Sequence, residues 1–255
     1  VLQLFSISRS HADDDFSKSK TIAELTNWNI YSPAWAPVSL DGQWLRLQDK
    51  DPFDYAKVER KIPASKELKV SFDLQAGQND KGTLQIEFLD ENGIACSRME
   101  LTNDGIFRMK GGSRFANMMK YEAGKNYHVE AVLSTTDRNI QVYVDGKRVG
   151  LRMFYAPVAS VERIAFRTGA PRTFPTVDTP ADQTYDLPNA GEQEPLAEYR
   201  IANVKTSSTD KDASSAFLNY ADFSHYVDYF NGMEDENIIQ AIPNAKASEW
   251  MEENI

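Results

Sequence analysis

Apolar and polar side chains alternate along much of the chain before residue 206. The alternation is clearest in residues 68–74, 84–88, 127–133, 140–144, 164–166 and 199–204. A period of two sends one row of side chains into a core and the next row toward water, as in a β-strand that packs on one face. Because no helical pattern separates these segments, they predict an all-β domain made of antiparallel sheets.

Tight-turn signals separate the predicted strands. Asn92-Gly93, Asp104-Gly105 and Asp145-Gly146 each lie between two strand-like segments. Such pairs readily adopt the positive φ angles that short hairpins require. The pattern gives about eleven or twelve strands before residue 206, which is more than an immunoglobulin-like sandwich contains. We therefore predict a two-sheet antiparallel jelly-roll sandwich with a short helical C-terminal extension.

One segment interrupts the strand pattern. Residues 168–197 hold almost half of the chain's 11 prolines, namely Pro171, Pro175, Pro180, Pro188 and Pro195. Proline has no N–H to donate to a β-ladder, so this segment is not a central strand. Because a strand pattern resumes over residues 198–206, we interpret the segment as a long loop within one domain.

The sequence predicts four segments. Residues 1–27 are a lead-in, residues 28–206 form the sandwich, residues 207–215 are a polar linker, and residues 216–255 begin a helical domain. Two interpretations of the first twelve residues stay open: the remnant of an export signal, or a first β-strand. The last predicted helix has no stop signal, so we expect the chain to end just inside the following domain.

Composition excludes some functions. Lys and Arg number 28 and Asp and Glu 38, which gives a formal charge of −10. This balance argues against a nucleic-acid partner, because phosphate binding needs clustered cations. No apolar run approaches the roughly 20 residues of a membrane-spanning helix. The single cysteine, Cys96, can form no intrachain disulfide, and its place in a predicted strand suggests a small core residue.

Residues 41–60, 162–169 and 175–178 carry a resemblance to a known group. They resemble the concanavalin A-like, laminin-G-like sandwiches attached to polysaccharide-degrading enzymes of Bacteroidetes. The resemblance implies an exported protein, periplasmic or at the cell surface, in which this domain is a non-catalytic accessory module with a structural and carbohydrate-binding role. Two alternatives stay open: a concanavalin-fold glycosidase or lyase acting itself, and a protein–protein docking domain.

A second resemblance lies near the end of the chain. Residues 230–244 and 249–251 are similar to the start of an (α/α)6-barrel glycoside hydrolase module of the mannosylglycerate-hydrolase-like type. In such modules the catalytic carboxylates lie far downstream, so no catalytic residue can be transferred to this chain. The resemblance implies that the partner of the sandwich is a catalytic domain of the same polypeptide.

The predicted strands offer no pair of catalytic carboxylates. Retaining glycosidases need two carboxyl groups about 5–5.5 Å apart on either side of the scissile bond. In residues 84–90 we expect Glu87 alone to point outward, because Asp90 falls in the turn. We therefore assign no catalytic residue.

Sugar binding needs exposed aromatic rings and planar polar groups. The candidates by residue type and position are Trp35, Arg108, Arg114, Tyr155 and Arg172. Trp35 lies in a proline-flanked loop, and arginine can bind the carboxylate of an acidic glycan with two hydrogen bonds. For each arginine the alternative is an ordinary solvated surface residue.

An acidic loop suggests a structural calcium ion. Asp49, Asp51 and Asp54 provide the hard oxygen ligands that calcium prefers. Lys50 would compete with the ion, however, and no Glu or Gly completes a known calcium loop. The alternative is that the three aspartates cap a turn.

Overall fold

The computed structural model describes residues 11–52, 54–111, 114–169 and 192–209. Fifteen strands lie in these ranges: β1 (Asp13–Asp14), β2 (Trp28–Tyr31), β3 (Val38–Asp41), β4 (Trp44–Asp49), β5 (Lys57–Ser65), β6 (Glu67–Ala76), β7 (Leu84–Leu89), β8 (Ala95–Leu101), β9 (Ile106–Gly111), β10 (Arg114–Lys120), β11 (Asn126–Ser134), β12 (Asn139–Val144), β13 (Lys147–Met153), β14 (Val161–Thr168) and β15 (Ala197–Ser208). Two short 3-10 helices, Phe16–Lys18 and Ile22–Glu24, precede β2.

The strands form two antiparallel sheets. The first, eight-stranded, has the order β13-β12-β11-β6-β15-β4-β3, and β1 also pairs with β15. The second, seven-stranded, has the order β10-β9-β8-β7-β14-β5-β2. The predicted all-β sandwich is confirmed. The strand count was too low, because strands of two to four residues such as β1 and β3 are too short to show a period of two.

The core lies between the sheets and consists of the alternating apolar positions. On β4 and β6 the buried residues are separated by half-buried or exposed ones, as the sequence pattern predicts. The sheets meet at an edge-to-face contact between Phe72 and Phe166, whose ring centroids lie 5.1 Å apart. Such contacts add about 0.5–1.5 kcal/mol beyond the burial of the ring surfaces. Cys96 is fully buried, and burial raises the pKa of its thiol well above the usual value, so it is the predicted core residue.

The segment before β2 is part of the sandwich. Asp13 and Asp14 pair with β15, and Phe16 is buried with its ring 5.6 Å from that of Trp28. Asp14 accepts hydrogen bonds from Arg60 of the opposite sheet and from the Trp28 indole. Asp14 therefore links the two sheets at one end of the core.

Strand β15 is shared between two neighbours on one of its edges. Residues 197–201 pair with β4, whereas Val204 and Lys205 pair with β1. An irregularity between Ala202 and Lys205 separates the two halves, and Asn203 has a φ of 51° there. The Asn203 amide donates to Asp73 on β6 at 2.6 Å, which holds this bulge in place.

Several sequence predictions fall outside the described residues. These are most of the proline-rich loop and almost all of the linker and helical segment that follow residue 206. The four-segment division of the chain therefore stays a prediction. Among the described residues no helix is long and apolar enough to cross a membrane.

Candidate functional site

A pocket of about 180 Å³ opens beside the end of β4, and we call it the Trp35 pocket. Three separate segments form it: the loop between β2 and β3, the end of β4, and the residues just before β15. Its described lining consists of Ala34, Trp35, Pro37, Gln48, Lys50, Gln193 and Leu196. Its volume is below the roughly 300–1,000 Å³ of pockets for drug-sized ligands, so it suits a small ligand.

Backbone hydrogen bonds hold the three segments together. The Lys50 N–H donates to the Trp35 carbonyl at 2.9 Å, and the Gln48 N–H donates to the Pro37 carbonyl at 3.0 Å. The Glu194 N–H donates to the Lys50 carbonyl at 2.8 Å. Because these bonds use main-chain groups, they hold the three segments together without engaging the side chains that line the pocket.

The Trp35 pocket combines an aromatic surface with polar groups. The Trp35 indole is half-buried, whereas Lys50 and Gln193 are exposed. The Gln48 amide donates to Glu198 at 3.0 Å, which fixes its orientation and leaves its carbonyl oxygen to accept. An indole face with nearby amides can stack on a pyranose ring and hydrogen-bond its hydroxyls.

Arg108 and Arg114 lie away from this pocket, on neighbouring strands at one edge of the seven-stranded sheet. The Arg108 guanidinium donates twice to Glu100, at 3.0 and 2.9 Å, and lies 4.3 Å from the Phe115 ring centroid. Arg114 is exposed at the start of β10. Since Glu100 already pairs with Arg108, that guanidinium is a weaker candidate for a sugar carboxylate than its sequence suggests.

The interpretation of Tyr155 as a sugar-stacking residue needs correction. Its side chain is fully buried, and the Lys110 amine lies 4.7 Å from its ring centroid. The Tyr155 N–H donates to the Cys96 carbonyl at 3.0 Å, which draws the segment after β13 into the fold. A ring without exposed surface cannot stack on a sugar from solvent. Arg172 lies outside the described residues.

The three aspartates of the acidic loop cap turns. The Asp49 carboxylate accepts from the Asp51 N–H, and the Asp51 carboxylate accepts from the Asp54 N–H, both at 2.9 Å. Asp54 accepts from the Tyr31 hydroxyl at 2.8 Å. Across the described ranges no group of three or more His, Cys, Asp or Glu residues could hold a metal ion. The described structure therefore provides no ligand set for calcium, which stays a prediction.

Asp49 is the most perturbed acid beside the Trp35 pocket. Burial raises its pKa to about 6, although hydrogen bonds from the Thr168 side chain and the Asp51 N–H oppose the rise. Asp49 lies between the pocket residues Gln48 and Lys50, and it stands opposite Ala197 in the pairing of β4 with β15. The protonation of Asp49 is therefore coupled to the stability of the segment that carries the pocket.

We expected Glu87 to point outward, but its side chain is buried. Its carboxylate pairs with Arg98 on the adjacent strand at 2.6 Å, and both side chains are 2% exposed. A carboxylate held in a buried ion pair cannot act as the acid or nucleophile of an open cleft.

The sequence indicated one residue of the Trp35 pocket, Trp35 itself. Gln48 and Lys50 flank Asp49, the first aspartate of the acidic loop, and this position is the one weak sequence indication that they lie near a site. Gln193 and Leu196 gave none, since only the pairing of β15 with β4 brings them to the pocket.

Comparisons with known proteins show the family to which the chain is similar. A family model described as "Sialidase-like, CBM domain", where CBM denotes a carbohydrate-binding module, matches residues 28–183. A solved structure named "Sialidase" is 89% identical over 96% of this chain, with a TM-score of 0.74. The alignment covers 23% of that sialidase, so this chain spans less than a quarter of its length.

More distant structures show the fold alone. An apo Crh5 transglycosylase is 10% identical with a TM-score of 0.58, and the match covers 81% of this chain and 89% of that one. A structure from work on endo-acting O-glycanases of the human gut microbiota is 13% identical with a TM-score of 0.55, covering 77% and 98% of the two chains. No curated protein matches the chain.

Proposed function

Because the chain belongs to the family of sialidase-like carbohydrate-binding-module domains, we propose that it holds glycans for an enzyme through the Trp35 pocket. The domain is a non-catalytic accessory module of a glycan-degrading enzyme. The site assignment rests on one observation: the Trp35 indole and the side-chain amides of Gln48 and Gln193 line the same small pocket. That combination recognises a sugar ring and its hydroxyls.

We further propose that the whole polypeptide is an exported sialidase, periplasmic or at the cell surface. The 89% identity to a sialidase of more than four times the aligned length supports this proposal. It favours a sialic-acid-cleaving module over the mannosylglycerate-hydrolase-like (α/α)6 barrel that residues 230–251 predict. In either case the partners of this domain are a glycan and a catalytic domain of the same polypeptide.

The alternatives, an enzyme in its own right and a pure docking domain, have less support. Glu87, the acid nearest to a catalytic position, is locked to Arg98. In the part of the chain that the structure describes, the large apolar residues that are exposed lie on several different elements: Tyr31, Leu151, Met153 and Leu196. A docking domain would instead present them as one contiguous patch.

The test is a titration of the 255-residue chain with a glycan panel, followed by NMR. We expect glycan-dependent shifts of the Trp35 indole N–H signal, and at least about tenfold weaker binding in Trp35→Ala, because the stacking surface is lost. Tyr31→Ala is the matched control, since Tyr31 is 47% exposed but does not line the pocket. The absence of binding to any glycan, or full binding by Trp35→Ala, would contradict the proposal.

A further inference from the structure

One edge of the sandwich, formed by β10 and β13, is cationic although the chain as a whole is acidic. These two strands contain five Lys and Arg residues and no Asp or Glu. In the part of the chain that the structure describes, none of the five side chains forms an ion pair. Cations that are exposed and unpaired attract an acidic partner.

The acids beside this edge lie at the ends of its strands. Asp104 and Glu122 flank the end of β10, and Glu122 pairs with a lysine of its own loop. Asp137 lies in the turn before β12, and Asp145 lies in the turn before β13, where it accepts a backbone hydrogen bond. These positions leave the middle and the end of β13, with Arg148 and Arg152, as the most positive part of the edge.

The outward face of β13 also carries two exposed apolar side chains. Leu151 is 46% exposed and Met153 is 57% exposed. An added Cβ at Gly150 would lie 2.7 Å from the sulfur of Met118 on β10, so Gly150 faces the other sheet. Leu151 and Met153 therefore do not both face the core, because successive residues of a strand point to opposite faces.

Strand β13 is the last strand of the eight-stranded sheet. Among the described residues, one of its backbone edges has no strand partner. An edge strand that exposes apolar side chains promotes association unless another segment covers it. We call Arg148, Leu151, Arg152 and Met153 the β13 surface.

Residues 210–255 follow β15 and have a composition that complements the β13 surface. They contain ten Asp and Glu residues and two Lys, so they carry a formal charge of −8 out of the −10 of the whole chain. They also contain seven aromatic residues, namely Phe217, Tyr220, Phe223, Tyr226, Tyr229, Phe230 and Trp250. The segment thus supplies carboxylates for the arginines and aromatic rings for the apolar side chains.

The distance from the end of β15 to the β13 surface is short. The Thr209 N–H donates to the Glu67 carbonyl at 3.3 Å, and the strand register places Met153 in the same row, four strands away. Four spacings of about 4.8 Å amount to about 19 Å. Residues 210–215, the last six of the predicted linker, span up to about 20 Å when extended. The residues after this linker can therefore reach Met153.

The opposite edges of the two sheets do not attract an acidic segment. The strands there, β2 and β3, contain no Lys or Arg and one acid, Asp41, which pairs with Arg200. The residues before β2 add the exposed or half-buried acids Asp13, Asp15 and Glu24. Repulsion between like charges therefore favours the edge with β13.

We propose that the β13 surface is the docking site of residues 210–255 of the same chain. Aromatic side chains of this segment pack on Leu151 and Met153, and its carboxylates pair with Arg148 and Arg152. The contact covers the edge of β13 and sets where the polypeptide leaves the sandwich. This inference goes beyond the proposed glycan binding and does not depend on it.

The test is photo-cross-linking within the 255-residue chain. Leu151→p-benzoylphenylalanine places the cross-linker on the β13 surface, and digestion with mass spectrometry identifies the peptides attached to it. Tyr31→p-benzoylphenylalanine is the matched control, because Tyr31 is 47% exposed but lies on β2. We expect at least about fivefold more cross-links to residues 210–255 from position 151 than from position 31, because docking raises the local concentration of the segment.

Charge changes test the role of the arginines. In the Leu151→p-benzoylphenylalanine chain, Arg148→Glu should lower the yield at least about threefold, because attraction becomes repulsion. Lys20→Glu changes the net charge equally at an exposed lysine before β2 and should leave the yield unchanged. In 1 M salt, where the Debye length is about 3 Å, the yield from position 151 should fall by about half or more.

A second measurement leaves the β13 surface unchanged. Reversal of three acids in the segment, Glu234→Lys/Asp235→Lys/Glu236→Lys, should shift the NMR signal of the Met153 ε-methyl group and leave that of the Trp35 indole N–H in place. A Met153 signal that does not move, or equal cross-linking of residues 210–255 from positions 151 and 31, would overturn the proposal. Cross-links between two chains that increase with protein concentration would also overturn it and assign the surface to a second copy.

Discussion

Removal of the Asp14 carboxylate is the perturbation whose effect on stability follows most directly from the structure. The Arg60 side chain is 2% exposed, and its Nε and Nη2 lie 2.7 and 3.2 Å from the two Asp14 oxygens. The Trp28 indole N–H donates to the same carboxylate at 3.1 Å. In Asp14→Ala a buried guanidinium and an indole N–H therefore lose a shared acceptor.

The expected loss in free energy of unfolding is about 3 kcal/mol. Breaking a buried ion pair from one side costs about 3–5 kcal/mol, because the remaining charge stays buried. Asp14 is 19% exposed, so water can partly solvate the arginine after substitution, and we take the lower end of that range. This loss is a large part of the 5–15 kcal/mol by which domains are usually stable.

The assay is urea unfolding followed by tryptophan fluorescence, compared at a constant denaturant slope. Asp13→Ala is the matched control, because Asp13 is 83% exposed and pairs with an exposed lysine on β15 at 3.3 Å. We expect that control to lie within about 0.5 kcal/mol of the wild type. In Asp14→Ala/Arg60→Met the buried charge is gone, so most of the lost stability should return.

The reasoning would be refuted by an Asp14→Ala chain as stable as the Asp13→Ala chain. It would also be refuted if Arg60→Met failed to restore stability in the Asp14→Ala background. Either result would mean that Arg60 is satisfied without Asp14, and that the segment before β2 does not link the sheets.

Two further predictions concern the segments around the Trp35 pocket. The folded-state pKa of Asp49, about 6, lies above the ordinary value for an aspartate, so the folded chain binds this proton more tightly than the unfolded chain does. The free energy of unfolding therefore falls as pH rises from about 4 to 6. Asp49→Asn should remove up to about 3 kcal/mol of this pH-dependent loss of stability. The measurement is the free energy of urea unfolding at several pH values. The same pH dependence in Asp49→Asn and the wild type would contradict the raised pKa of Asp49. At Gly82, φ is +66° and an added Cβ would lie 2.3 Å from the Ala197 Cβ. Gly82→Ala should lower the free energy of unfolding by at least about 2 kcal/mol, whereas Gly124→Ala, at φ +74° with open space, should cost about 1 kcal/mol. Equal thermal unfolding midpoints of the two variants would show that the close approach to β15 does not matter.

The sequence predicted the fold well because burial in a sandwich repeats every two residues. On β6 the apolar positions are the buried ones, and the polar positions between them are half-buried or exposed. The prediction failed for Glu87, because its partner Arg98 stands opposite it only in the register of β7 with β8. Periodicity indicates which face a side chain takes, but it does not show what covers that face.

The candidate site was less predictable because it depends on tertiary contacts. Trp35 was identified from its proline-flanked loop, a local feature. Tyr155 is also aromatic and also lies between two strands, yet its backbone hydrogen bond to β8 draws that segment into the fold, and the ring is buried. Gln193 and Leu196 reach the pocket through the pairing of β15 with β4, which no local pattern shows.

A crystal structure of the chain with a bound oligosaccharide from the glycan panel would test glycan binding at the Trp35 pocket most directly. We expect one pyranose ring stacked on the Trp35 indole, with its hydroxyl groups beside the amides of Gln48 and Gln193. A sugar bound instead beside Arg108 and Arg114 at the edge of the seven-stranded sheet, with the Trp35 pocket empty, would contradict the account.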